Sequence, residues 1–113
     1  MPKILVVEDE TAYQTILKDT FEKEGFEVFV VSGANEAKLN VTKNHPDIIL
    51  LDIILPGGLN GFDFLENLEG KAETRKIPVV VLTNLASEEK VAKEIGASAY
   101  YIKADTPIDE VVR

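Results

Sequence analysis

Five short, mostly apolar runs constrain this chain more than any other feature. They are Ile4-Leu5-Val6-Val7, Phe26 to Val31, Ile48 to Leu51, Val79 to Leu82 and Ala99 to Ile102. Their length and their β-branched and aromatic content read as strands. Nearly continuous hydrocarbon, rather than strict in-out alternation, means strands buried on both faces, and that requires helices on both sides of a mostly parallel sheet. The segments between them comply. Tyr13, Ile16, Leu17 and Phe21 recur at helical spacing, and Gly25 after Lys23-Glu24 is a C-terminal stop. Further helices are expected over about Asn35 to Lys43, Phe62 to Leu68 and Ser87 to Ile95, and from Thr106 onward, where Thr106-Pro107-Ile108-Asp109 resembles a capping box. The expected class is a doubly wound α/β fold with a five-stranded parallel sheet.

With 113 residues, 45% of them hydrophobic, the chain suits one domain over 1–113 with one core. Ile108, Val111 and Val112 open an apolar helical face that stops at Arg113, so the final helix is expected to be cut short or followed by an output region. A formal charge of -8 opposes direct binding to nucleic acid or to an anionic membrane. The first apolar run is too short for a signal-peptide core or a membrane span, which predicts a cytoplasmic protein. The absence of cysteine removes disulfides, thiolate catalysis and zinc-thiolate sites.

In a doubly wound sheet, ligands bind outside the C-terminal strand ends, where strand order reverses. The first run ends in Glu8-Asp9-Glu10, opposite in sign to a phosphate-cradling glycine turn. Alone, such acids could simply stabilise a helix N-terminus. The third run ends in Asp52, a lone charge inside Ile48 to Leu55, which alone could be a turn residue. The first and third strands are neighbours at the reversal, so Glu8, Asp9 and Asp52 should converge, and like charges that close call for a cation. Hard oxygen ligands without sulfur point to magnesium. The single histidine, His45, precedes Pro46 in a loop and reads as a solvated turn residue. Thr83 and Lys103 follow the fourth and fifth runs, each unremarkable singly. Together, a carboxylate nucleophile, a metal, a hydroxyl and an ammonium are what aspartyl-phosphate formation requires.

These residues resemble the receiver domains of bacterial two-component systems, including the single-domain chemotaxis type, across nearly the whole chain. Ile4 to Glu10 is similar to the family's first strand and acidic pair, Asp47 to Pro56 to its phosphoacceptor strand, Val79 to Thr83 to the strand ending in the switch hydroxyl, and Gly96 to Lys103 to the segment with the switch aromatic and lysine. The resemblance implies a flavodoxin-like strand order 2-1-3-4-5 and a switch rather than an enzyme acting on other substrates. It implies Asp52 as phosphoacceptor and a histidine kinase or phosphotransfer protein as donor. It implies magnesium, with manganese as a substitute, held by Asp9, Asp52 and the Ile54 backbone carbonyl, and by Glu8 through water. Thr83 and Lys103 would contact the phosphoryl group, and Tyr100 would turn inward as Thr83 moves, altering the surface of the Ser87 to Ile95 helix and the fifth strand for a downstream protein or output domain.

Three features depart from the family pattern: Ala104 after the lysine in place of proline, a Pro56 to Gly61 loop one residue longer, and apolar Ile54 and Leu85 at positions that set hydrolysis rate. The last predicts a long-lived phosphoryl state. Rival readings are a receiver-like interaction module that works without phosphorylation, an aspartate-nucleophile phosphatase, disfavoured by Ile54 two residues after the nucleophile, and a flavin module, disfavoured by the acidic first turn.

Overall fold

The structure, a computed structural model, describes residues 1–55, 61–84 and 86–104. Strands β1 (Lys3–Val7), β2 (Glu27–Val31), β3 (Ile48–Leu51), β4 (Val79–Thr83) and β5 (Ala99–Ile102) form one parallel sheet in the order β2-β1-β3-β4-β5. Helices α1 (Thr11–Lys23), α2 (Ala34–Asn44), α3 (Gly61–Glu69), α4 (Ala72–Arg75) and α5 (Glu89–Ile95) lie between them. The strand order and parallel pairing agree with the reading from sequence. No helix among the described residues is long and apolar enough to cross a membrane.

Alternate residues of each strand enter two separate cores, which is why the runs are continuously apolar. Leu5, Val7, Ile49, Leu51, Val79 and Val81 pack with Ala37, Val41, Phe64, Leu65 and Ala92 of α2, α3 and α5. Ile4, Val6, Leu50 and Leu82 pack with Leu17 and Phe21 of α1 on the other face. Each buried Val, Leu, Ile or Phe side chain among them contributes about 1.5–3 kcal/mol.

Helix α1 ends where Gly25 predicts. Gly25 takes φ +92°, its N–H donates to Glu22 O at 3.1 Å, and the Phe26 N–H donates to Phe21 O at 3.0 Å. That is a Schellman closure, and the matching hydrophobic contact is the edge-on Phe21–Phe26 pair, with ring centroids 5.4 Å apart. His45 closes α2 in the left-handed region at φ 50° and is exposed, at the sheet end away from the strand C-termini. Two details differ from expectation. The segment expected to be helical from Ser87 begins as a 3-10 turn, Ala86–Glu88, before α5, and the four-residue α4 has no amphipathic period from which to read it. The expected helix from Thr106, the Pro56 to Asn60 part of the glycine-rich loop and Leu85 lie outside the described residues.

Candidate functional site

Hydrogen bonding of the sheet continues one residue past three strands, and this places the site. The Glu8 N–H donates to Val31 O at 3.0 Å, the Asp52 N–H to Val7 O at 3.0 Å and the Lys103 N–H to Thr83 O at 2.9 Å. The polar residues after β1, β3 and β5 are thus held as firmly as the strands. Carboxylate oxygens of Glu8, Asp9 and Asp52 consequently lie within 4.8 Å of one another. Glu8 and Asp52 are buried, at 2% and 6% exposure, whereas Asp9 is open to solvent.

Between the two buried acids sits Lys103. Its Nζ is 2.6 Å from Glu8 Oε1 and 2.8 Å from Asp52 Oδ2. The remaining oxygens are also engaged: Glu8 Oε2 accepts the Glu10 N–H at 3.1 Å and Asp52 Oδ1 accepts the Ile54 N–H at 3.0 Å. Burial raises the Glu8 carboxyl above the ordinary range, against the lowering effect of the Lys103 and Glu10 bonds. Burial acts downward on Lys103, but the bonds to Asp52 and Glu8 outweigh it, so the ammonium is held above its usual value.

The donor set fits a hard divalent cation. Asp9 offers solvent-exposed carboxylate oxygens, and Glu8 and Asp52, both buried and with each oxygen bonded inside the protein, stand within 4.8 Å of it, where an ion would compete with Lys103 for them. Ile54, beside them, donates its backbone N–H to Asp52.

Thr83, the last residue of β4, is fully buried. Tyr100, facing Val81 in the sheet register, is also inside at 9% exposure, among Val79, Val81, Ala92 and Ala97. A hydrogen bond ties it to the Glu88 backbone, and burial, reinforced by Glu88 and Glu89, raises its hydroxyl pKa. The family resemblance implies a ring that turns inward as the hydroxyl moves away; here both are within the fold together.

The family model for the response regulator receiver domain matches residues 4–108. The chain belongs to this family. It is a receiver domain of the two-component type, a switch phosphorylated on an aspartate, and its acidic pocket of Glu8, Asp9 and Asp52 fits magnesium. Among relatives, it is 37% identical to the phosphate regulon transcriptional regulatory protein PhoB of Escherichia coli, over 98% of this chain and 49% of PhoB. It is 32% identical to sporulation initiation phosphotransferase F of Bacillus subtilis, over 96% of this chain and 86% of that protein. The BeF3-activated receiver domain of Klebsiella pneumoniae RstA superposes with a TM-score of 0.87 at 32% identity, covering 98% of this chain and 93% of that one. The receiver spans about half the length of the phosphate regulon regulators it matches.

Three contributors to the receiver site were not legible as such in the sequence. Gln14 Nε2 donates to the Glu8 carbonyl and, at 3.2 Å, to Ser32 Oγ, stapling α1 to the ends of β1 and β2. Tyr13, read as a core position of α1, has its ring beneath the Lys103 ammonium. Its signal was its place four residues after Asp9, on the turn that rises from the acidic cluster.

The third is Gly61, whose N–H donates to Ile53 O at 2.8 Å; a Cβ there would lie 2.5 Å from Ile53 Cα and 2.7 Å from Asp52 O. Backbone cannot yield as a flexible side chain can. Gly61→Ala is expected to destabilise the domain by about 2–3 kcal/mol in urea unfolding and to weaken magnesium binding by displacing the Asp52 backbone.

Glu8 supplies a pH signature. A group more basic in the folded than in the unfolded state contributes stability at acid pH and loses it as pH rises through its raised value. The Lys103 contribution, raised likewise, persists through neutral pH and is lost only in the alkaline range. With divalent ions chelated, the melting temperature of the wild type relative to Glu8→Gln should therefore fall as pH is raised from about 4 toward neutrality. A flat or rising difference would contradict this assignment.

Proposed function

We propose that Asp52 is the phosphoacceptor of this receiver and that residues 1–113 act as one cytoplasmic signalling domain. The observation that carries the reading is the convergence of a buried Asp52 on both the Lys103 ammonium at 2.8 Å and the acidic cluster with Glu8 and Asp9. A histidine kinase or phosphotransfer protein is the donor. An Asp52 carboxylate oxygen attacks phosphorus, the O–P bond forms as the N–P bond to the donor imidazole breaks, and the imidazole leaves with the bonding pair.

Asp9, Asp52 and the Ile54 carbonyl would hold magnesium, or manganese in its place, with Glu8 acting through water. The ion, when bound, neutralises charge on the phosphoryl oxygens. Lys103 exchanges its bond to Asp52 for one to a phosphoryl oxygen. Thr83 then moves outward from its buried place to donate its hydroxyl, which loosens the packing around Tyr100 and the β5 and α5 surface. The domain transforms no other substrate; it promotes its own phosphorylation and phosphate loss. A downstream protein or an appended output domain reads the surface.

Incubation with magnesium and acetyl phosphate tests this: intact mass should rise by one phosphoryl group. No gain, together with no spectral response to beryllofluoride, would favour an interaction module that works without phosphorylation. Ile54 is apolar and 57% exposed beside the acceptor, where it orients no water, and Leu85 is the second such position in the sequence. Phosphate release, timed on the purified phosphoprotein, should take minutes or longer; a half-life of seconds would count against this.

A further inference from the structure

An ammonium has three protons to place, and two of the directions around Lys103 Nζ are taken by Glu8 Oε1 at 2.6 Å and Asp52 Oδ2 at 2.8 Å. A further neighbour is aromatic. Nζ lies over the ring of Tyr13, 4.8 Å from its centroid, with the Lys103 side chain only 8% exposed. A cation over a ring face is attracted by the ring quadrupole, more so where water is excluded. The ring is half-buried and packs against the α1 face of the sheet, so it cannot follow the lysine freely. Helix α1 thus supplies a contact that favours one position of the ammonium, the position across the two buried acids.

That position is also where a divalent cation must act. Both cations are stabilised by the same carboxylates and repel each other at such separation. Anything that strengthens the hold on Lys103 therefore raises the ion concentration needed to take over the pocket. We propose that Tyr13 is a positioning residue that clamps Lys103 across Glu8 and Asp52 and thereby sets the threshold for divalent-ion binding. This rests on the metal role proposed above and adds to it a determinant from outside the acidic cluster.

The test starts with the wild type. In chelator, the Lys103 ε-methylene protons should show an upfield ring-current shift in the NMR spectrum, and saturating magnesium should move them toward the ordinary lysine position. Calorimetric titration with magnesium then compares variants. Tyr13→Leu should bind the ion about fivefold more tightly, which is about 1 kcal/mol at 1.4 kcal/mol per tenfold, within the range of a cation–π contact. Tyr13→Phe, which keeps the ring, should stay within about twofold of the wild type. In a Lys103→Met background, Tyr13→Leu should change nothing, because no ammonium remains to clamp.

An ordinary Lys103 shift in a wild type that binds magnesium overturns the clamp alone, even if a variant fails to fold. So does an unchanged or weaker affinity in Tyr13→Leu, an equal effect of Tyr13→Phe, or an effect that persists without Lys103. A wild type that shows the ring-current shift yet takes up no magnesium would instead sink the metal reading, and the threshold with it.

Discussion

Asp52→Asn is expected to abolish phosphorylation by acetyl phosphate while leaving a folded domain. The carboxamide matches the carboxylate in shape but lacks the anionic oxygen that attacks phosphorus, so the rate should fall by more than about 10³-fold. Folding should be spared for a physical reason. In the wild type, the single Lys103 ammonium is shared by two buried carboxylates, and Asn removes one of those negative charges; its one amide oxygen keeps one of the two bonds, from Lys103 or from the Ile54 N–H, and the relief of charge offsets the loss of the other. Stability with divalent ions chelated should shift by no more than about 1 kcal/mol, and the stabilisation gained on adding magnesium should shrink. Intact mass and thermal unfolding measure the two halves. Phosphoryl mass on Asp52→Asn would show that another residue accepts the group.

Lys103→Met should have the second large effect, and its size should depend on the ion. Side-chain exposures of 3% for Glu8, 7% for Asp52 and 8% for Lys103 describe a buried triad, and removing its cation leaves two carboxylates facing each other. Breaking such an arrangement from one side should cost about 3–5 kcal/mol in urea unfolding with chelator present. Magnesium should restore most of the loss, because it replaces the missing charge, and its apparent affinity should rise, because its internal competitor has gone. Phosphorylation should nevertheless be slow, since the cationic partner of the phosphoryl oxygens is missing. A stability loss of equal size with and without magnesium would mean that Lys103 acts by packing alone.

Much of the fold was legible because it follows from local regularities. The strands sit where the apolar runs predict, since only β-structure buried on both faces accommodates runs such as Ile48 to Leu51. The end of α1 at Gly25 follows from the one residue that adopts φ +92° without strain. The acidic cluster was legible too, because parallel order puts the residues after β1 and β3 side by side. Less was legible of what surrounds it. Nothing in the apolar period marks Gly61 as the point where α3 presses on the Asp52 backbone, or separates Tyr13 the core residue from Tyr13 the neighbour of Lys103.

By itself, then, the sequence determined the strands, the parallel α/β class and the list of charged residues at one edge of the sheet, because these depend on hydrophobic period and chain order. Tertiary structure decided how those charges pair. Lys103 arrives across Glu8 and Asp52, and over Tyr13, only once β5 has docked two strands away from β3 and α1 has packed on the sheet. Burial did the same for Thr83 and Tyr100, since whether a side chain lies in or out is a property of the packed whole. Electrostatic attraction and exclusion of water act over ångströms in space, and the residues that share this pocket are separated by most of the length of the chain.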